Sequence, residues 1–136
     1  MKKITTGIDI YVPFAEHLGV RTEEQANGRA TITLEIREEH LNSWNSAHGG
    51  IVMSLLDMAM GMSAKSVDKD AIGATTIESK TNFLRPAIGL VRSSAMAQKI
   101  GRSLLYVEGE LSDEAGVTLA RATGTFKLRF RDNEKV

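Results

Sequence analysis

The feature that most constrains the fold is one apolar segment, Ile51–Ala64, in the middle of the chain. A helix on a protein surface carries one apolar stripe. Here, apolar side chains would cover every side of a helix: Ile51, Val52, Met53, Leu55, Leu56, Met58, Ala59, Met60 and Met62. The segment is too short to span a bilayer. We therefore predict a helix from about Gly50 to Val67 that is buried on all sides.

The sequence before this helix predicts two smaller features. Residues 11–19 are typical of a short helix, with Pro13 in its first turn and Gly19 at its end. Residues 38–48 contain polar and turn-forming types without periodicity, which predicts a loop leading into the long helix.

Most of the remaining chain is predicted to be extended. Arg29–Arg37 alternates apolar and polar residues, as expected of a half-buried strand. Four further strands are predicted between turn-forming residues, at 74–84, 90–100, 103–112 and 116–130. The pattern indicates a single α+β domain over residues 1–136, in which an antiparallel sheet wraps around the long central helix, as in the hotdog fold. One open sheet would leave strand edges uncovered, so we expect a homodimer that pairs them.

Charge and cysteine content exclude several classes of function. The 17 basic and 17 acidic residues cancel, so nothing indicates binding to nucleic acid or to an anionic membrane surface. The absence of cysteine excludes a thiol nucleophile and a thiolate metal site, and His17, His40 and His48 lack metal-binding spacing. The N-terminus has no apolar signal-peptide region. We therefore expect a cytoplasmic protein without a metal or a cofactor.

Asp57 is the only ionisable side chain between Gly49 and Ala64. A buried, unpaired carboxylate costs several kcal/mol or has a raised pKa, so Asp57 needs either a partner or a chemical task. An ion pair with an arginine from a strand is the structural alternative. His48-Gly49-Gly50 precedes the helix and leaves backbone N–H groups accessible at the positive end of its dipole. A carboxylate together with such an anion site supplies the groups needed for acyl transfer.

The stretch from His48 to Asp57 resembles the signature of the phenylacetyl-CoA-thioesterase-like (PaaI-like) branch of hotdog thioesterases. Asn42 lies six residues before His48, and the resemblance continues through 76–87, 101–104 and 120–126. It covers roughly residues 14–130. The family implies hydrolysis of acyl-CoA to a free acid and coenzyme A, which is then part of the substrate and not a cofactor. It also implies homodimers that can pair into tetramers.

The resemblance assigns roles to particular residues. Asp57 matches the catalytic carboxylate, as general base or nucleophile, and the Gly49 N–H matches the donor to the thioester carbonyl. Asn42 and His48 match polar residues near that carbonyl, and Thr76 matches a hydroxyl residue that positions water. Asp57 and Thr76 would come from one subunit and the Gly49 end from the other. Coenzyme A would be contacted by residues at the ends of strands: Arg102, Ser103 and Arg85.

Two other functions fit a fold of this kind. The first is a hydratase or dehydratase acting on acyl thioesters, although His48 and Asp57 are nine residues apart, without the proline or the five-residue spacing of those enzymes. The second is a non-catalytic acyl-CoA sensor, although the chain lacks a basic DNA-binding segment.

Overall fold

A computed structural model describes residues 11–131, apart from the side chain of Lys99. The elements run in the order α1 Pro13–Leu18, β1 Arg21–Ala26, β2 Arg29–Glu35, a 3-10 turn Glu38–His40, α2 Gly49–Lys65, β3 Gly73–Phe83, β4 Leu90–Lys99, β5 Leu104–Asp113 and β6 Thr118–Arg129. Across this part of the chain the strands form one antiparallel sheet in the order β1-β2-β4-β5-β6-β3. The predicted α+β hotdog arrangement is confirmed.

The core lies between α2 and the concave face of the sheet. Leu55, Leu56, Ala59 and Met60 of α2 are fully buried there. Along β5, buried and exposed residues alternate, as the two-residue period of a strand requires. A Cβ atom added at Gly109 would lie 3.2 Å from the Met60 side chain, so a glycine in β5 lets the helix approach the sheet closely.

The predicted long helix exists, but its boundaries and its burial differ from the prediction. It begins at Gly49 and ends at Lys65, because Ser66 closes it: the Ser66 hydroxyl donates to the Ser63 carbonyl at 2.8 Å. The prediction that it is buried on all sides is wrong for a single chain, since Met53 is 51% exposed. One sheet contacts only the side that carries the core residues, and the side of Gly50 and Met53 stays open.

The five strands expected from periodicity are confirmed to within two residues at each end. Strand β1 was not predicted, because its sequence, Arg-Thr-Glu-Glu-Gln-Ala, has no apolar alternation. It forms through a two-residue turn to β2, in which Asn27 and Gly28 have φ of 51° and 82°. The Asn-Gly dipeptide was the available signal for this hairpin.

The predicted short helix and the predicted loop are also confirmed. Helix α1 has Pro13 in its first turn and ends at Gly19, whose φ of 91° is in the left-handed region. The predicted loop contains the 3-10 turn and a bridge between Leu41 and Ala47 that closes it. In the residues that the structure describes, no helix combines the length and the apolarity needed to cross a membrane.

Candidate active site

The structure brings Asp57 and Thr76 together. The Thr76 hydroxyl donates a hydrogen bond to the Asp57 carboxylate with 2.6 Å between Oγ1 and Oδ1. Asp57 lies on α2, and Thr76 faces it from β3, directly before a β-bulge that shifts the pairing with β6 between Thr76 and Glu78. Bulges of this kind are common beside active sites, where they direct a side chain. Within residues 11–131 no cation pairs with Asp57, so the structural alternative of an arginine partner is not observed.

A cavity of about 320 Å³ opens beside this pair. Its walls are mainly apolar and come from α1, α2, β3 and β6, including Ala15, Met58, Met62, Ala74 and Phe126. Gly61 also lines it, and a Cβ added there would lie 3.7 Å from the Phe126 ring, an ordinary contact. Asp57 therefore has an apolar chamber on one side and remains partly exposed.

The beginning of α2 presents a backbone donor. His48 caps the helix, and its Nδ1 accepts a hydrogen bond from the Gly50 N–H at 2.8 Å. The His48 carbonyl accepts from the Ile51 N–H at 2.8 Å. The Gly49 N–H donates to no acceptor in the described part of the chain. This end of the helix can therefore bind an anionic oxygen through Gly49.

Asn42 holds the loop before α2 in shape. Its Oδ1 accepts hydrogen bonds from the Trp44 N–H at 2.8 Å and the Ser46 N–H at 3.2 Å, and its Nδ2 donates to the Ser46 hydroxyl at 3.2 Å. Trp44 is 85% exposed on this loop. In one chain Asn42 thus orders the approach to the helix, and its predicted contact with a substrate carbonyl stays a prediction.

Within one chain, the Gly49 N–H and the Asp57 carboxylate are far apart. They are eight residues apart on α2, or about 12 Å at 1.5 Å per residue. Strand β3 runs antiparallel beside the helix: the Phe83 ring lies next to Gly49, whereas Thr76 bonds to Asp57. A single thioester carbonyl cannot contact both ends of this stretch in one chain.

The residues predicted to bind coenzyme A lie outside the cavity lining. Arg85 follows β3 and donates from Nη1 to the Thr118 carbonyl at 2.6 Å. Arg102 is exposed in the turn between β4 and β5, and the carbonyl of Ser103 accepts from the Leu128 N–H at 2.7 Å. Their contact with a ligand stays a prediction.

Shifted pKa values occur on the surface, away from Asp57. The hydrogen bond from Arg92 lowers the pKa of Glu23, and a backbone hydrogen bond lowers that of Glu39. Desolvation, together with the neighbouring Glu108, raises the pKa of Tyr106. None of these groups lines the cavity beside Asp57. Among the described residues, no three His, Asp or Glu side chains are placed to hold a metal ion.

Sequence reasoning missed the far part of the cavity, where Gln25 and Lys65 line it. The available signal was a spacing of four residues from Asp57 to Gly61 and again to Lys65, which places all three on one side of a helix.

Comparison with known proteins identifies relatives over most of the chain. The family description that matches residues 45–120 is "Thioesterase superfamily". A protein of Saccharolobus solfataricus named as a candidate esterase is 33% identical over 112 residues, which are 82% of this chain and 79% of that protein. The 1,4-dihydroxy-2-naphthoyl-CoA hydrolase of Listeria monocytogenes is 31% identical over 116 residues, covering 84% of this chain and 94% of the relative.

Solved structures agree with the architecture. A conserved protein from Pseudomonas aeruginosa superposes with a TM-score of 0.80 at 29% identity, covering 86% of this chain and 94% of that one. A variant of the phenylacetic acid degradation protein PaaI from Thermus thermophilus has a TM-score of 0.77 at 27% identity, covering 88% and 100%. Fold, sequence match and relatives agree: the chain belongs to the thioesterase superfamily, as a hotdog-fold protein of the PaaI-like type.

Proposed function

We propose that this protein hydrolyses acyl-CoA thioesters to a free acid and coenzyme A. The observation that carries the proposal is the Thr76–Asp57 hydrogen bond of 2.6 Å beside an apolar cavity. Membership of the thioesterase superfamily supports thioester hydrolysis in general. A relative that is 31% identical and is named a naphthoyl-CoA hydrolase supports a coenzyme A ester as the substrate.

Asp57 is the proposed reacting group, by one of two routes. As a general base, it takes a proton from water, the resulting hydroxide adds to the carbonyl, and the tetrahedral intermediate expels the coenzyme A thiolate. As a nucleophile, it adds to the carbonyl itself, the thiolate leaves, and water cleaves the mixed anhydride. The Thr76 oxygen keeps lone pairs that accept a hydrogen bond from the attacking water while its own proton is directed at Asp57.

The donor to the carbonyl oxygen is the Gly49 N–H of a second copy of the chain. The separation of about 12 Å between Gly49 and Asp57 along one helix supports a second copy as the source of this donor. Asn42 and His48 would lie near the same carbonyl, carried by the same end of the helix. Negative charge on the oxygen of the intermediate is stabilised by this N–H and by the helix dipole.

The free edge of β3 supports the second copy. It has 11 residues, carries Thr76, and exposes 55% of Ile77 and 54% of Phe83. A long edge strand with exposed apolar side chains is suited to pairing with another strand. The opposite edge, β1, is short and largely charged. The proposed assembly is a homodimer joined through β3, with two dimers forming a tetramer.

Coenzyme A binding completes the proposal. Arg102 and Ser103, with Arg85 as a further contact, are the proposed ligands for its polar and phosphate groups. Arginine suits this role because its planar guanidinium donates several hydrogen bonds in a fixed geometry.

Asp57→Asn tests the assignment against Asp70→Asn, which changes an exposed aspartate outside the cavity. Thiol release is measured over a panel of acyl-CoA esters with a thiol reagent. We expect Asp57→Asn to lower kcat by about 10²- to 10⁴-fold, because it removes the base or nucleophile while keeping the size of the side chain. Asp70→Asn should match the wild type.

Near-normal turnover by Asp57→Asn would overturn the proposed role of this carboxylate. Hydration of crotonyl-CoA without thiol release would favour the hydratase alternative. Stable binding of an acyl-CoA with no thiol released by the wild type would favour a sensor.

A further inference from the structure

The cavity beside Asp57 continues along α2 to Lys65. Asp57, Gly61 and Lys65 follow one another at four-residue intervals and all line it, so its length along the helix is about 12 Å at 1.5 Å per residue. Strand β3 forms the opposite wall and runs antiparallel to α2. Thr76 therefore lies beside Asp57, and Gly73 lies at the far part of the lining. The cavity thus has a reactive end and a far end of different chemistry.

The far end is polar, whereas the middle is not. Gln25 lines it, and its Nε2 donates to the Met62 carbonyl at 3.1 Å, which leaves its Oε1 available as an acceptor. Within residues 11–131, no carboxylate lies within ion-pair distance of the Lys65 ammonium. Between the two ends the walls are formed by Met58, Met62 and Phe126. A ligand that fills the cavity therefore lies against apolar side chains in the middle and against Gln25 and Lys65 at the far end.

The volume sets the size of the group that fits. An apolar cavity of about 150 Å³ holds one benzene molecule. The cavity beside Asp57 measures about 320 Å³, roughly twice as much. It therefore has room for a two-ring aromatic group or a medium-length chain, and a short acyl group would leave the Lys65 end unfilled.

We propose, building on the proposed thioester hydrolysis, that Lys65 selects acyl groups that are apolar along their length and end in an oxygen. The oxygen is either the terminal carboxylate of a dicarboxylic acyl chain or the hydroxyl of a hydroxyaryl acyl group. With the thioester carbonyl at Asp57, the far oxygen accepts a hydrogen bond from the Lys65 ammonium. Lys65 is then a specificity-determining residue that takes no part in the bond-breaking step.

A purely structural role for Lys65 makes a different prediction. Lys65 is in the last turn of α2, where a cation stabilises the helix dipole. That effect acts on the protein whatever substrate is bound, and a contact with coenzyme A would also be common to all esters. Only a contact with the far end of the acyl group distinguishes one ester from another.

The test compares esters that differ only at the far end of the acyl group. One pair is octanoyl-CoA and the monothioester of octanedioic acid, and the other is 2-naphthoyl-CoA and 6-hydroxy-2-naphthoyl-CoA, whose two rings match the volume of the cavity. The variant is Lys65→Met, which keeps a long apolar side chain. The control is Lys69→Met, which changes an exposed lysine that does not line the cavity.

In the wild type we expect at least one oxygen-ended ester to be preferred in kcat/KM, and the preferred pair identifies the substrate class. Lys65→Met should reduce that preference about tenfold, which corresponds to about 1.4 kcal/mol for a charge-assisted hydrogen bond. Its kcat/KM for the plain ester should stay within about twofold, because the apolar stem is retained. Lys69→Met should leave both values unchanged.

Two results would overturn the inference while leaving thioester hydrolysis intact: a wild type that prefers neither oxygen-ended ester, or a Lys65→Met variant that loses the same factor on both members of a pair. If no ester releases thiol, the proposed function fails separately. Calorimetric titration with thioether analogues of the two pairs then still measures whether Lys65 discriminates, and equal affinities within each pair would overturn the inference.

Discussion

The two ends of one stretch of α2 differ in how their polar groups are used. Around Gly49, hydrogen bonds within the loop and the cap engage Asn42 and the Nδ1 atom of His48, so this end is a rigid frame around one available N–H. Around Asp57, a single hydroxyl contacts the carboxylate, and a cavity lies beside it. The first end is suited to holding a substrate oxygen still, and the second to reacting.

In the proposed mechanism, this difference means that one chain contains two halves of a site and no complete one. Each half supplies what the other lacks, but they are separated by about 12 Å along the helix. Side-chain motion at a capped helix end cannot close that distance. A symmetric pair of chains can close it, because a two-fold axis can place the Gly49 end of each chain against the Asp57 end of the other.

After Asp57→Asn, the largest expected effect is at the Gly49 end, from Gly49→Pro. Gly49 is the first residue of α2, where proline is tolerated, and His48 has a ψ of 142°, which suits a residue before proline. The change therefore removes the N–H but keeps the helix. We expect kcat to fall about 10²- to 10³-fold, as for loss of one oxyanion donor. Steady-state thiol release measures it.

Gly49→Ala is the matched control, because it keeps the N–H. An added Cβ would lie 3.5 Å from the Phe83 ring, an ordinary contact. Near-normal turnover by Gly49→Pro, with its circular dichroism unchanged, would show that this N–H does not bind the reacting oxygen.

A smaller effect is expected at the Asp57 end, from Thr76→Val. Valine keeps the shape of threonine but removes the hydroxyl that donates to Asp57 at 2.6 Å. Loss of a hydrogen bond to a charged group corresponds to roughly a tenfold to hundredfold decrease in kcat/KM. Steady-state thiol release measures the decrease.

Thr76→Ser should restore most of the wild-type rate, since it keeps the hydroxyl. If Thr76→Val and Thr76→Ser have the same rate, the hydroxyl is only a packing group.

The smallest effect, and the sharpest comparison of the two halves, comes from a hybrid dimer. One chain carries Asp57→Asn and the other Gly49→Pro, with different affinity tags so that the hybrid can be purified after co-expression. If the halves combine across chains, one site has both changes and the other has neither. The hybrid should then retain about half of the wild-type activity, as two-fold symmetry requires.

Each variant alone should be nearly inactive as a homodimer. A hybrid that is as inactive as its parents would show that the Gly49 N–H and the Asp57 carboxylate work within one chain.

Much of the fold could be predicted from the periodic pattern of apolar residues alone. The long helix and five strands follow from it because each buries a regular set of apolar residues. Strand β1 was not predicted, since it forms by backbone pairing with β2 and its sequence has no apolar period. An exposed ion pair between Glu23 and Arg92, at 2.9 Å, also joins it to β4. The open side of α2 was also not predicted. A periodic pattern of apolar residues indicates that a side chain will be buried, but it does not indicate whether the same chain or another chain buries it.

The site could be predicted less completely. Asp57 was recognisable as a lone charge in an apolar segment, and the glycines before it as an anion site. Thr76 is 19 residues further on, and only the family resemblance singled it out before the structure showed its hydrogen bond to Asp57. Lys65 lies in the last turn of α2, where a lysine is common. Its position at the end of the cavity depends on how α1, β1 and β3 pack together, which the sequence pattern does not indicate.

Gly61 has a consequence for how proteins of this type diverge. A glycine inside a helix lowers its stability by about 1 kcal/mol relative to alanine, so this position keeps empty space at the expense of helix propensity. A Cβ atom added there would lie 3.7 Å from the Phe126 ring, an ordinary contact, so alanine can be accommodated. One codon change can therefore narrow the chamber and leave Asp57, Thr76 and the edge of β3 intact. Substrate range in such a lineage can drift in single steps, each compatible with a working enzyme.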